Sequence, residues 1–288
     1  MARKHSSKAP AGPLHEGFYR LRNSNFHVRT ASAELAFDVA RICHQFASEP
    51  TTSAVTYEAR QVGATWHILC DGKVVEKSDS MVGAVYALET HMVRAAVAAD
   101  RTSVYWHGSA LVRDGRTVLI PGDSGIGKTT LSLALSANGF KLLADDVAFF
   151  DPSTGSIELF RRAPHVHEDA IPRLQAVGFP YQPELRYHAC FEVESVPAWA
   201  SEPSPPLSHV LFAEWDETGT FEHMPVTQAE AAIELHGLSQ NLRSFPEGGW
   251  PVLERALANV RSYRVLRSGD LRASVDAIRD LIDNVEVA

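Results

Sequence analysis

The stretch Gly-Asp-Ser-Gly-Ile-Gly-Lys-Thr-Thr at positions 122–130 constrains the fold of this chain more than any other. It matches the pattern G-x-x-x-x-G-K-[ST], in which a glycine-rich backbone wraps around phosphate groups. The apolar run Val118-Leu119-Ile120 precedes it, and the leucine-rich residues 131–135 follow it. Because strand, loop and helix in this order are the setting of a phosphate-binding loop, the sequence predicts an α/β fold with a nucleotide site here. A glycine-rich turn with a chance lysine is the alternative, which the flanking apolar runs disfavour.

Each residue type in the loop suits phosphate binding. Glycine lets the backbone bend tightly and approach phosphate oxygens without a clashing Cβ. The N–H groups of the loop and of the following helix then point at the anion. Lys128 is expected to reach the β- and γ-phosphates of ATP, and Thr129 to offer its hydroxyl to Mg²⁺. The predicted nucleotide-binding residues are Gly122, Asp123, Ser124, Gly125, Ile126, Gly127, Lys128, Thr129 and Thr130.

Two adjacent carboxylates follow the next predicted strand. Residues 140–144, apolar except for Lys141, lead directly into Asp145 and Asp146, and residues 147–150 are apolar again. A carboxylate at this place in a phosphate-loop fold commonly supports Mg²⁺, and an adjacent one can accept a proton from an attacking hydroxyl. A turn rich in aspartate is the alternative. The apolar flanks favour a functional pair, because two charges in such surroundings need partners.

His107 and the arginines at 161 and 162 are weaker candidates. His107 ends a predicted strand and is separated from the loop by one hairpin with Asp114-Gly115 at its turn, so it can return beside the loop. A lone histidine is usually structural, however. Arg161 and Arg162 leave the strand predicted at 156–160. A solvated pair is the expectation, although a positive charge near the γ-phosphate would help phosphoryl transfer.

The chain of 288 residues is long enough for two domains. Residues 1–22, rich in proline and charge, are predicted to be a mobile tail, residues 23–100 a small α+β domain, and residues 101–288 the domain of the nucleotide site. Within the latter, Thr227 with Glu230, and later Asp270, are expected to begin helices.

Composition excludes some function classes. The formal net charge of −8 disfavours a nucleic-acid partner, and no apolar run approaches the length of a membrane span. The three cysteines are far apart and odd in number, which favours a reducing cytoplasm over a disulfide framework.

Taken together, His107-Gly108, the loop at 122–129 and Leu143-Ala144-Asp145-Asp146 resemble the catalytic domain of HPr kinase/phosphorylase and its kinase-like relatives. The resemblance implies a phosphate-loop kinase core of the HPr kinase/PEP carboxykinase type. It also implies that Asp145 is the general base toward a serine hydroxyl, with His107 beside it. Lys128 and Thr129 would then bind ATP and Mg²⁺, and Asp146 would support the metal.

The chain departs from that family downstream of the aspartates. The family carries a glycine-containing signature there, whereas residues 160–168 contain no glycine. The chain is more similar to divergent relatives, some of which resemble enzymes that phosphorylate serine in ribosomally made peptides such as lasso-peptide precursors. The expected function is therefore a cytoplasmic ATP-dependent kinase, with a serine-bearing peptide or protein as partner and homo-oligomers possible. A nucleotide-hydrolysing switch and a non-catalytic nucleotide-binding module are the alternatives.

Overall fold

The computed structural model describes residues 14–215, 219–267 and 269–284. The chain divides after Asp100 into two compact units, one up to that residue and one from Arg101 onward. Each unit has its own sheet and its own helices, so that the protein is of mixed α/β structure. Within the described ranges, no helix combines the length and the apolar character that crossing a membrane would need.

The N-terminal unit packs two helices against one sheet. The sheet has the order β1-β2-β3-β4-β5, with β2 and β3 parallel and the other neighbours antiparallel. Both helices start at a serine whose hydroxyl accepts a backbone N–H, Ser32 for the first and Ser80 for the second. The elements are β1 (His15–Leu21), β2 (Ser24–Thr30), α1 (Ala33–Cys43), β3 (Val55–Val62), β4 (Thr65–Cys70), β5 (Lys73–Ser78) and α2 (Met81–Ala99).

Strand β1 corrects the predicted N-terminal tail, which the composition extends to residue 22. Tyr19 and Leu21 alternate along β1 and are buried, and the whole strand pairs with β2. Burial of these two side chains stabilises the strand. Its sequence neighbourhood is rich in proline and charge and therefore does not predict a strand. The tail prediction was therefore wrong for residues 15–21, and its first thirteen positions lie outside the described residues.

The second unit carries the predicted nucleotide site. Its larger sheet runs in the order β10-β9-β6-β7-β13-β15-β14, and β8 also pairs with β6. Strands β7, β13 and β15 are parallel neighbours. The elements are β6 (Val104–Arg113), β7 (Arg116–Pro121), α3 (Lys128–Ser136), β8 (Lys141–Ala144), β9 (Val147–Asp151), β10 (Ser156–Ile157), α4 (Ile171–Ala176), β11 (Arg186–Tyr187), β12 (Cys190–Phe191), β13 (Leu207–Trp215), β14 (Glu222–Val226), α5 (Gln228–Leu238), α6 (Trp250–Leu257), β15 (Arg261–Arg267) and α7 (Leu271–Asp283).

The hairpin between β6 and β7 brings His107 back to the phosphate loop. Asp114 and Gly115 at its turn both have positive φ, as a tight two-residue hairpin requires. The register places Gly108 opposite Pro121, the last residue before the loop. The Gly122 N–H consequently donates to the carbonyl of His107 at 3.0 Å. The hairpin therefore brings His107 next to the phosphate loop, which the sequence had allowed but could not establish.

The two aspartates interrupt one strand that would otherwise be continuous. Both β8 and β9 pair antiparallel with β6, β8 with its second half and β9 with its first half. Asp145 and Asp146 lie between them, and Asp146 has a left-handed backbone with φ of 67°. Few non-glycine residues adopt this conformation, and aspartate is among those that tolerate it. The interruption falls opposite Gly108 and Ser109, between the pairs His107–Val147 and Ala110–Ala144. Gly108 in turn pairs with Pro121, so the interruption lies at the level of the phosphate loop.

Helices α3 and α7 cover the sheet and give the loop a rigid support. Their inward side chains are fully buried, and burial of each contributes about 1.5–3 kcal/mol relative to exposure. The fully buried members of this cluster include Val118 and Ile120 on β7, Leu131 and Leu135 on α3, and Val275, Ile278 and Ile282 on α7.

Strand β13 carries a buried histidine whose titration should affect stability. His209 lies in this strand with its Nδ1 2.9 Å from the Ser208 hydroxyl. Burial, and then the positive charges of Arg261 and Arg116, lower the pKa of His209 from 6.5 to about 4. Between these two values the unfolded chain binds a proton that the folded chain does not. The free energy of unfolding therefore falls as the pH falls through this window.

We expect His209 to cost about 2 kcal/mol of stability when the pH is lowered from about 7.5 to about 5. His209→Gln should be less sensitive to acid by that amount, as urea unfolding at the two pH values would measure. His223→Gln, at an exposed position, is the control and should retain the wild-type sensitivity. Equal acid sensitivity in the wild type and His209→Gln would contradict this account.

Candidate active site

The phosphate loop, residues 122–129, connects the end of β7 to the start of α3. Gly122, Gly125 and Gly127 all have positive φ, as close wrapping around an anion requires. At Gly127 an added Cβ would also make a tight contact, 3.2 Å from the Arg267 guanidinium. The loop thus ends with α3 beginning at Lys128, and the N–H groups at this helix N-terminus form a site suited to phosphate.

The Lys128 ammonium contacts a backbone carbonyl of the loop and a histidine beside it. Its ammonium donates to the Asp123 carbonyl at 2.6 Å and lies 3.3 Å from His107 Nε2. Burial lowers the pKa of Lys128 to about 8, against the opposing effect of the Asp145 and Asp123 carboxylates. A phosphate would replace the carbonyl as partner of this ammonium and form a stronger, charge-assisted hydrogen bond.

The hydrogen-bond partners of His107 fit one tautomer of the neutral ring. Its Nδ1 lies 2.9 Å from the Asp146 carbonyl, which can only accept, so that Nδ1 carries the proton. Nε2 then has the lone pair that the Lys128 ammonium faces. Burial, followed by the charge of Lys128, lowers the pKa of His107 below its ordinary value. His107 therefore connects the lysine of the loop to the backbone of Asp146.

Asp145 is turned inward and surrounded by hydroxyl groups. It is only 2% exposed. One carboxylate oxygen accepts from Ser109 at 2.5 Å and from Ser132 at 3.3 Å, and the other accepts from Thr129 at 2.8 Å. The Thr129 contact joins Asp145 to the hydroxyl that was predicted to bind Mg²⁺. The Asp145 carboxylate is therefore buried against the Thr129 hydroxyl.

Asp146 is turned outward into a cavity. Its side chain is 42% exposed and forms an ion pair with Arg162, and His107 Nδ1 lies 3.2 Å from one of its carboxylate oxygens. Arg162 is itself buried, contrary to the solvated position expected for it. The left-handed backbone of Asp146 separates the two neighbouring carboxylates, so that one points into the protein and the other out of it.

The outward carboxylate and the phosphate loop share one cavity of about 300 Å³. We name it the transfer cavity. Its lining includes His107, Lys128, Thr129 and Asp146. It also includes a later group of residues, His165, Val166, His167, Asp169, Ala170 and Arg173. Ser124 and Thr130 also border it, so that most of the predicted site residues meet in one place. Asp123 contributes its carbonyl, and Ile126 accepts a hydrogen bond from Arg267 through its own carbonyl.

These donors and acceptors fit ATP and Mg²⁺. The loop supplies N–H groups and an ammonium for phosphate oxygens, and Thr129 supplies the hard oxygen ligand that Mg²⁺ prefers. Asp145 orients that hydroxyl and can accept hydrogen bonds from metal-bound water. The roles of the individual residues remain predictions. The geometry separates the two aspartates: Asp145 is buried against the Thr129 hydroxyl, whereas Asp146 lines the transfer cavity.

Three side chains of the site were not predicted to belong to it, Ser109, Ser132 and Arg267, and a fourth, Arg162, was only a weaker candidate. Ser109 and Ser132 bind Asp145, and nothing in a single serine indicates such a partner. Arg267 is 1% exposed and donates to the Ile126 carbonyl from the end of β15. Its position could have been found, because the carboxyl ends of parallel strands meet at the edge of the sheet where such loops bind ligands.

Comparison with known proteins gives distant likenesses to solved structures. No family model and no curated protein matches this chain. Among solved structures, it is similar to the HPr(Ser) kinase/phosphatase from Coxiella burnetii, at 17% identity over 62% of this chain and 88% of that chain, with a TM-score of 0.32. At this TM-score, the proposal below rests on the geometry of the site and not on the likeness.

Proposed function

We propose that this protein is an ATP-dependent kinase that transfers the γ-phosphoryl group to the hydroxyl of a serine in a peptide or protein. The observation that carries the proposal is the shared cavity, in which an outward carboxylate, Asp146, faces the lysine and threonine of a phosphate loop. A loop that only binds nucleotide needs no such carboxylate. The acceptor class comes from the sequence resemblance, as do the cytoplasmic location and a possible homo-oligomer.

In the proposed reaction, residues 101–288 do the chemistry. The loop N–H groups and Lys128 hold the β- and γ-phosphates, and Mg²⁺ on Thr129 would neutralise their charge. Asp146 takes the proton from the serine Oγ as this oxygen forms its bond to the γ-phosphorus. The bond from that phosphorus to the bridging oxygen breaks, and ADP leaves with the electron pair. Arg162 and His107 keep the Asp146 carboxylate in place, which in-line attack requires.

An ADP-release assay with and without acceptor tests this function. We expect slow ADP release from MgATP alone, and release at least about tenfold faster with serine-containing peptides, because an enclosed general base contributes about 10²–10⁴-fold to transfer. Matched peptides with alanine for serine should give no acceleration, and mass spectrometry should find phosphoserine only in the former.

Two outcomes would contradict the proposal. Fast ADP release that no acceptor alters would identify a nucleotide-hydrolysing switch, in which water takes the place of the serine. Nucleotide binding without ADP release under any condition would identify a binding module.

A further inference from the structure

A second cavity borders the phosphate loop and shares part of its lining with the first. It measures about 440 Å³, and we name it the arginine cavity. Both cavities are lined by Gly125, Gly127, Thr130, Asp169 and Arg173. The arginine cavity differs in having Ile126, Arg267 and Leu271 where the transfer cavity has His107, Lys128 and Asp146. A ligand held by the loop can therefore extend from one cavity into the other.

Arg267 forms a fixed, buried wall of the arginine cavity. It ends β15, and its guanidinium donates to the Ile126 carbonyl in the middle of the loop. The guanidinium also lies directly behind Gly127. Burial, and next the charge of Arg173, lower the pKa of Arg267 to about 10. Arg267 therefore places a fixed positive charge in the lining of a cavity beside the phosphate loop, and a guanidinium matches the geometry of a phosphate group.

Arg173 forms the opposite, adjustable wall. It belongs to the short helix α4 and lines both cavities. Its ion pair with Asp169, at 3.5 Å, joins two exposed side chains and is therefore worth little. A phosphate group carries more charge than one carboxylate and accepts two parallel hydrogen bonds from a guanidinium. Arg173 can exchange Asp169 for such a group at small cost.

We propose that Arg173 and Arg267 form an anion subsite that holds the α-phosphate of the nucleotide donor. The inference rests on the proposed function, since it assumes a nucleoside triphosphate in the loop. Because Lys128 and Asp146 line the transfer cavity, we place the terminal phosphate there. The phosphate nearest the nucleoside then lies past Thr130, between the two guanidinium groups. Leu271 supplies an apolar surface beyond them for the nucleoside.

Binding measurements on Arg173→Gln test the subsite. One charge-assisted hydrogen bond is worth about tenfold or more in affinity. We expect the Kd for ATP and the Kd for ADP to rise by the same factor, about tenfold, because both carry the α-phosphate. AMP, measured by competition against a fluorescent ADP analogue, should lose the same factor. Arg267→Lys, which keeps a charge at the buried position, should weaken ADP without preventing folding.

Two control variants separate this role from others. Arg161→Gln removes the same charge from an exposed position outside the lining of both cavities and should leave the Kd for ADP unchanged. Asp169→Asn breaks the ion pair of Arg173 but keeps the arginine, so it should bind ADP as tightly as the wild type or more tightly. If Asp169→Asn weakens ADP as much as Arg173→Gln does, Arg173 only maintains the local structure and the proposal is overturned.

The proposal would also be overturned if Arg173→Gln bound ADP as tightly as the wild type. It would be overturned as well if Arg173→Gln lost affinity for ATP alone, because Arg173 would then contact the terminal phosphate. If Arg173→Gln bound ADP more weakly than the wild type but bound AMP equally well, the α-phosphate would be excluded as the group that Arg173 contacts. None of these outcomes depends on an acceptor. A protein that hydrolyses ATP without transfer can retain the subsite, and a kinase can lack it.

Discussion

Asp146→Asn is expected to reduce phosphoryl transfer to serine by about a hundredfold or more, while the Kd for MgATP stays within about threefold of the wild type. The substitution keeps size and shape but removes the basic oxygen that would accept the serine proton. Asparagine tolerates the left-handed backbone of position 146, and its amide oxygen can still accept from Arg162. Single-turnover transfer and calorimetric binding of MgATP would measure the two quantities separately.

Asp145→Asn is the matched comparison, one residue away. Its amide would replace a carboxylate that accepts from three hydroxyl groups, including that of Thr129. We expect about a tenfold loss of Mg²⁺-dependent nucleotide affinity, the usual effect of removing a group that orients a metal ligand. If Asp145→Asn instead binds MgATP normally and loses transfer, while Asp146→Asn transfers at the wild-type rate, the base is Asp145, as the resemblance implied.

Local features of the fold were predictable because their causes are local. Thr227 and Glu230 form the expected capping box at the start of α5, and Asp270 caps α7 as predicted. Helices α1 and α2 agree with the α+β character predicted for residues 23–100, and each buries one face in its own unit. Strand β1 was missed because its stability comes from pairing with β2, which sequence composition does not register.

The division of the two aspartates could not be predicted, because it depends on one backbone angle. Asp145 and Asp146 are adjacent and have apolar neighbours on both sides, so that periodicity treats them alike. The left-handed φ of Asp146 arises where β8 gives way to β9 opposite β6, a feature of pairing across the sheet. The ion pair of Arg162 follows from the same geometry. Arg267 is 141 residues from its partner Ile126 in the sequence, and the two come together only when the sheet has formed.

Lys128→Ala is expected to weaken MgATP binding by about a hundredfold or more, since the ammonium would donate charge-assisted hydrogen bonds to two phosphate groups. The fold should survive, because Lys128 contacts a loop carbonyl and His107 and is not part of the apolar core. Circular dichroism and thermal unfolding would check this, and Lys141→Ala, at an exposed position on β8, controls for the loss of one positive charge.

The same variant separates two contributions to the site. Without Lys128, His107 Nε2 loses the ammonium that it faces, whereas its Nδ1 contact with the Asp146 carbonyl remains. Removal of this neighbouring positive charge should raise the pKa of His107, because Lys128 is the second cause of its lowering after burial. NMR titration of His107 in Lys128→Ala would measure that shift. An unchanged nucleotide affinity together with an unchanged His107 titration would show that Lys128 acts neither on phosphate nor on the histidine, and the loop would then have no part in the proposed transfer.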